Sequence, residues 1–300
     1  MAMWRSRIVV VAIILAVPVA LANCSRLGFG VVNVPTYFGS YQRRADIPYG
    51  TEPRQSLDVY VPPGAADRPV VVFWYGGMWR WGSKEQYRFV GAALANAGYV
   101  AVLPDYRLFP PARFPQFIED GALAVRWTHD HAAEIGGDPR AIFLMGHSAG
   151  AHLAASLALD ERYLRKVGGN VAWLRGWIGL SGPYDLDARY PPVLREIFRE
   201  PYAAADWQPI ALVTAHAPPA LLIHGTDDGM VSAQQADLLS QALSGLSVPV
   251  DCRIYAGSSH FDTVAAFSLA LRAEAPSLSD VKDFIDRTMT GAPPKVACPE

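Results

Sequence analysis

Runs of apolar residues alternate along this chain with helix-period patterns, and that rhythm decides the fold class. Ser56-Leu57-Asp58-Val59-Tyr60-Val61 alternates polar and apolar, as a half-buried strand does, and Pro62-Pro63-Gly64 ends it. Val70 to Tyr75 is a continuous apolar run that suits a central strand covered on both faces. Tyr99 to Pro104, Ala141 to Met145, Trp177 to Leu180 and Ala220 to Ile223 are further runs of that kind, and Val250 to Tyr255 is the last strand candidate. Between them, Gln86 to Ala97, Phe117 to Ile135, Ala149 to Asp160, Ser232 to Leu243 and Ser279 to Thr288 read as helices. Alternation of this kind predicts one mostly parallel sheet flanked on both faces.

Two stretches break the rhythm. Residues 183–219 form an insertion rich in Pro, Tyr and Trp between two core strands. Unpatterned stretches of that length inside a compact domain usually serve as lids or binding loops. At the other end, Arg5 and Arg7 precede a 15-residue apolar run, Ile8 to Ala22, that closes on Ala20-Leu21-Ala22. A basic start, a short apolar stretch and a small-x-small finish describe a secretory signal. The run falls short of the roughly 20 residues of a spanning helix. Leu21-Ala22-Asn23-Cys24 resembles a bacterial lipobox, which would lipidate Cys24 and tie the chain to a membrane, although Asn23 departs from the usual small residue. The expected layout is a signal over 1–22, a polar linker over 23–44, one domain over 45–290 with a cap at 183–219, and a tail over 291–300. Periplasmic, lipid-anchored and secreted destinations all follow from an exported chain.

Composition narrows the classes. The 300 residues are 51% hydrophobic and 18% charged, enough to bury a large core. A formal net charge of -2 leaves no basic footprint for nucleic acid. Three cysteines occur, Cys24, Cys252 and Cys298. In an oxidising compartment Cys252 and Cys298 could pair; otherwise Cys252 sits in a strand and Cys298 in a frayed end. Their spacing fits no zinc site.

The candidate chemistry begins at Gly146-His147-Ser148-Ala149-Gly150, a G-x-S-x-G pattern directly after a buried strand and before a helix. Such a turn thrusts a serine hydroxyl out of the backbone, at the positive end of the following helix. A serine hydroxyl needs a base, and the base needs an orienting carboxylate. Downstream, His224-Gly225-Thr226-Asp227-Asp228 follows one strand, and Ala256-Gly257-Ser258-Ser259-His260 follows the next. Both lie just past strand C-termini, where open parallel sheets gather functional groups. By order and position His260 is the base among the seven histidines, and either Asp227 or Asp228 is the acid. His152 reads as a buried structural histidine and His224 as support for the acid loop. His129 and His131 lie two apart on a helix and share no face, so no metal is expected there.

Several segments together resemble α/β-hydrolase serine esterases, the group that contains bacterial carboxylesterases, kynurenine formamidase and prenylcysteine methylesterase. Gly76-Gly77-Met78-Trp79-Arg80-Trp81-Gly82-Ser83-Lys84 is similar to their G-G-x-W-x-x-G-x-K stretch, and Asp105-Tyr106-Arg107-Leu108-Phe109-Pro110 to their D-Y-R-L-x-P block. Gly136-Gly137-Asp138-Pro139, the elbow through His152, Ser181-Gly182-Pro183-Tyr184-Asp185 and H-G-x-x-D at 224–228 extend the likeness over about residues 50–290. The resemblance implies an α/β-hydrolase fold with a mostly parallel eight-stranded sheet and a short cap. It implies the acid at Asp228, and an oxyanion hole from the amides of Gly77, Met78 and Ala149. Many relatives carry histidine where this chain has Tyr75.

The expected function is cleavage of carboxylic esters with small or apolar acyl or aryl groups, through Ser148, Asp228 and His260 and without a cofactor. Trp79, Trp81, Phe109 and Trp207, in loops or in the insertion, are the candidate substrate-pocket residues, with Tyr184 and Tyr202 in the same class; ordinary packing is their plain alternative. An arylformamidase or other amidase with the same triad is the rival reading. A silent hydrolase-fold binding protein is the third, and the presence of all three triad residues argues against it.

Overall fold

The structure, a computed structural model, describes residues 28–186, 192–292 and 298. The expected signal at 1–22 and Cys24 lie outside the described residues. One eight-stranded sheet runs through the chain: β1 (Gln42–Pro48), β2 (Ser56–Val61), β3 (Arg68–Trp74), β4 (Val100–Pro104), β5 (Gly137–His147), β6 (Leu174–Leu180), β7 (Ala220–Gly225) and β8 (Val250–Tyr255). Their spatial order is β1-β2-β4-β3-β5-β6-β7-β8. The pairs β1–β2 and β2–β4 are antiparallel, and every pair from β4–β3 to β7–β8 is parallel. This is the architecture of an α/β-hydrolase fold.

Among the described residues, the longer helices that pack on the sheet are α1 (Arg88–Asn96), α2 (Gln116–His131), α3 (Ala149–Leu159), α4 (Gln234–Gly245) and α5 (Ser277–Thr290). α3 is buried along its whole length, lying between β5, β6 and α2, so its Ala- and Leu-rich sequence carries no polar face. α5 is the opposite case, with only Ser277, Val281, Phe284 and Ile285 buried. Phe284 meets Phe143 of β5 edge-on at 6.2 Å, which seats α5 against the sheet.

Three departures from the sequence reading have physical causes. The first strand, β1, carries no apolar alternation because it is an edge strand with none of its residues buried. Residues 34–38 of the expected linker form a 3₁₀ turn, and Asn33 ties this segment to the domain by donating to the carbonyl of Gln86 and accepting from the amide of Phe89. Within 183–219, short helices occupy Val193–Ile197 and Ala204–Trp207, with a 3₁₀ turn at Pro209–Leu212. At the C-terminus a disulfide joins Cys252 of β8 to Cys298, which removes the frayed-end alternative for that tail.

Candidate active site

The central strands end at one edge of the sheet, and the candidate residues sit there because each follows a strand terminus. β5 runs to His147, and α3 begins at Ala149. The single residue between them, Ser148, has φ 55° and ψ −121°, a conformation that side chains rarely adopt and that costs on the order of 1–3 kcal/mol. The surroundings enforce it. The Ser148 amide donates to Leu180 O at 2.9 Å, and its carbonyl accepts from Ala151 at 2.9 Å. A Cβ on Gly146 would stand 2.1 Å from Gly150 O, and one on Gly150 would stand 2.1 Å from Trp74 O. The two glycines let β3, β5 and α3 close around the turn, which leaves the serine side chain facing outward.

The candidate acid and base come from neighbouring loops that are bonded to each other. Thr226 N donates to Tyr255 O, Asp227 N donates to Ser258 O, and Gly257 N donates to Thr226 Oγ1. That stitching fixes Asp228 against His260, whose Nδ1 lies 2.7 Å from Asp228 Oδ2. The second carboxylate oxygen accepts from the amides of Met230 at 2.9 Å and Val231 at 2.8 Å. His224 Nε2 stands 3.0 Å from the same Oδ2. Burial favours the neutral acid, but hydrogen bonds from His224, His260 and Val231 outweigh it and hold Asp228 far below the usual carboxylate range. Asp227 faces solvent, with a hydrogen bond from the Thr226 hydroxyl.

His260 is only 3% exposed, and its Nε2 has no hydrogen-bond partner among the described residues. The Ser148 hydroxyl is therefore not bonded to it in this rotamer; such contacts commonly tighten only when substrate binds. The base loop is also tied to the elbow, since His147 Nε2 donates to His260 O at 2.9 Å. Burial, with the nearby His260 ring, pushes the His147 imidazole down to about 3, so it stays neutral and keeps that donor role.

Across the turn lies the loop after β3. Gly77 has φ 127°, where a Cβ would meet Trp81 O at 2.1 Å, and Met78 and Trp79 both adopt positive φ, 52° and 57°. Among the described residues the amides of Gly77, Met78 and Ala149 donate to no protein acceptor. Met78, Trp79, Ser148 and Ala149 open together into a cavity of about 480 Å³.

Of the four aromatic residues expected at the pocket, Trp79 alone lines this cavity. Trp81 lies outside, 53% exposed beneath the Arg80 guanidinium, and Phe109 is covered by Arg113. Trp207 forms a layer behind the wall, stacked on Phe198 at 4.6 Å. A loop position shows that a side chain is off the sheet, and it leaves open which way the side chain turns. The walls come instead from Pro183, Leu186 and Leu194 of the insertion and Met230 and Val231 of the candidate acid loop, and of these only Pro183 falls in a marked segment, Ser181 to Asp185. Gln235 of α4 was also unmarked: its Oε1 accepts from the amides of Tyr184 and Asp185, clamping the start of the insertion. No described lining residue is charged. Among the described residues, no cluster of His, Cys, Asp and Glu could hold a metal ion.

The sequence profile of the BD-FAE family matches residues 57–174, and that of the prolyl oligopeptidase family matches residues 118–291. A probable isoprenylcysteine α-carbonyl methylesterase of Arabidopsis thaliana is 31% identical over 258 residues, 78% of this chain and 54% of that protein. Esterase LipC of Mycobacterium tuberculosis is 34% identical over 229 residues, 69% of this chain and 56% of that protein. The chain thus spans a little over half the length of these curated relatives. Among solved structures, apo Thermogutta terrifontis esterase 2 superposes with a TM-score of 0.69 at 25% identity, covering 85% of this chain and 97% of that one.

Proposed function

The chain belongs to the α/β-hydrolase-fold esterases related to the BD-FAE and prolyl oligopeptidase families, and on that premise we propose that it hydrolyses carboxylic esters with Ser148 as nucleophile, His260 as base and Asp228 as acid. The observation that carries this reading is the 2.7 Å contact between His260 Nδ1 and Asp228 Oδ2, on loops stitched beside a strained serine turn. Asp228 fixes the tautomer that leaves Nε2 free to take a proton. His260 Nε2 removes the Ser148 proton as Oγ attacks the ester carbonyl. The amides of Gly77, Met78 and Ala149 receive the developing oxyanion, each donor supplying on the order of 3 kcal/mol. Collapse expels the alcohol, which His260 protonates, and water repeats the sequence on the acyl-enzyme to release the acid.

The uncharged, largely apolar wall supports neutral esters with small or apolar acyl or aryl groups as substrates. Export is part of the same proposal: the N-terminal basic and apolar run supports it, and a Cys252–Cys298 disulfide suits an oxidising compartment.

Two measurements test this reading. A fluorophosphonate should label Ser148 in the folded protein and leave the Ser148→Ala variant unlabelled. A series of p-nitrophenyl esters of rising acyl length, set beside formylkynurenine, should show turnover of the esters. Unlabelled Ser148 would end the serine-hydrolase proposal, and faster turnover of the formamide would move the chain to the arylformamidase side.

A further inference from the structure

The cavity beside Ser148 is bounded by two pieces of chain that lie far apart in sequence. Pro183 and Leu186 belong to the start of the insertion, and Met230 and Val231 to the loop that leads into α4. One side chain bridges the two. Gln235, in the first turn of α4 and 5% exposed, accepts at Oε1 from the amides of Tyr184 at 2.7 Å and Asp185 at 2.6 Å, and donates from Nε2 to Asp185 O at 3.0 Å. Its own amide donates to Ser232 O at 3.0 Å, next to Val231 in the opposite wall. The stretch it grips has other bonds: Ile210 N donates to Tyr184 O at 3.1 Å, and Gln208 Nε2 donates to Leu186 O at 2.6 Å. Those two partners belong to the insertion and would travel with it. Gln235 instead anchors the stretch to a helix packed on β7 and β8.

We propose that Gln235 is a positioning residue that determines acyl specificity: its side-chain amide fixes the spacing between the Pro183 and Leu186 wall and the Met230 and Val231 wall, and so the width of the acyl pocket beside Ser148. This rests on the serine-hydrolase reading above and deepens it by naming what sets the acyl range. The chemistry of the residue matches the task. Two consecutive backbone amides converge on one acceptor while the carbonyl of Asp185 needs a donor, and a primary amide supplies both without burying a charge. An apolar side chain of the same length would leave the Tyr184 and Asp185 amides without that acceptor, a cost the stretch can relieve by moving out toward water. Such a movement carries Leu186 and Pro183 away from the acyl chain. Asp228 has its own bonds to Met230 N, Val231 N and His260, so the effect falls on the acyl group more than on the chemical step.

The test uses Gln235→Met, close in shape but without the polar atoms, and Gln235→Glu, which keeps an acceptor for the two amides and as a carboxylate loses the donor toward Asp185 O. The quantity read is the ratio of kcat/KM for p-nitrophenyl hexanoate to that for p-nitrophenyl acetate. A change confined to folded fraction or to the triad scales both esters alike and leaves this ratio where it was, so a merely structural role does not move it. Gln235→Met should lower the ratio by on the order of 10-fold, because methylenes that reach the displaced wall lose their contacts while an acetyl group does not. Gln235→Glu should lower it by a smaller factor, about 3-fold. A ratio that stays within about 2-fold of wild type in Gln235→Met, or rises, would overturn the proposal. If Gln235→Met does not fold, Gln235→Glu decides by the same criterion. Absent fluorophosphonate labelling of wild-type Ser148 would overturn this proposal together with its premise, whereas a labelled wild type with an unmoved ratio in the variants overturns the role of Gln235 alone.

Discussion

Oδ2 of Asp228 lies 2.7 Å from Nδ1 of His260, while the adjacent Asp227 points to solvent. Two consecutive carboxylates thus have opposite environments, and only one of them can hold an imidazole tautomer. Asp228→Asn should reduce kcat by on the order of 10³- to 10⁴-fold, since an amide at this place can favour the wrong tautomer. Asp227→Asn should leave most of the activity, since its exposed side chain accepts a hydrogen bond from the Thr226 hydroxyl and lies away from His260. Steady-state ester hydrolysis by both variants checks this, and the reverse ranking would reassign the acid.

The elbow gives a prediction on stability. A methyl group at Gly150 has 2.1 Å to Trp74 O and 2.5 Å to the Trp74 carbonyl carbon, and backbone cannot yield as a flexible side chain does. Gly150→Ala should therefore cost about 3 kcal/mol or more, at or beyond the upper end for overpacked sites. Urea unfolding of the variant measures the cost. A near-neutral result would mean that β3 and α3 are not packed this closely.

How far the sequence reached depended on what each residue contributes to pattern. The seven apolar or alternating runs it marked all became strands, because burial on one or both faces writes itself into hydrophobicity. β1 has no buried residue and so left no trace. Ser148, Asp228 and His260 could be marked as candidates since each stands at a strand end in a recognisable local motif, and the structure places all three at one edge of the sheet. Leu194, Met230 and Gln235 were not, because the cavity wall is assembled from segments far apart in the chain, and only packing shows that they meet. Arg54 belongs to the same class: nothing in its neighbourhood signals that it reaches Tyr75 and Gly82.

Two buried histidines set an acid-side dependence of stability. Burial pushes His147 down to about 3 and His152 down to about 4, despite hydrogen bonds to the carbonyls of His260 and Trp207. In the unfolded chain both titrate near their ordinary value of about 6.5. As pH falls through that value the unfolded state takes up protons that the folded state refuses, so stability declines from about pH 6.5 toward pH 4. The slope approaches about 1.4 kcal/mol per pH unit for each histidine. His152→Gln retains a side-chain donor toward Trp207 O and removes one titrating group. Its unfolding free energy, measured by urea between about pH 7 and pH 5, should fall less steeply than that of the wild type. Equal slopes would show that His152 is protonated in the folded state too.

The cavity wall makes the substrate range testable at a single position. Leu194 projects from the short helix Val193–Ile197 into the cavity and is 8% exposed, so a larger side chain there has little room to turn outward. Ser148 and Ala149 open into the same space, which means that added volume at Leu194 subtracts from what an ester can occupy near the proposed nucleophile. Leu194→Trp should leave p-nitrophenyl acetate turnover within about 3-fold and lower kcat/KM for longer acyl chains by on the order of 10- to 100-fold, since each methylene that loses its place in an apolar pocket is worth about 1–3 kcal/mol. Leu194→Ala should shift the optimum the other way, toward longer chains. The p-nitrophenyl series on the three proteins decides it: parallel profiles would mean that the acyl group lies elsewhere, and a crossing of the profiles would assign it to this wall.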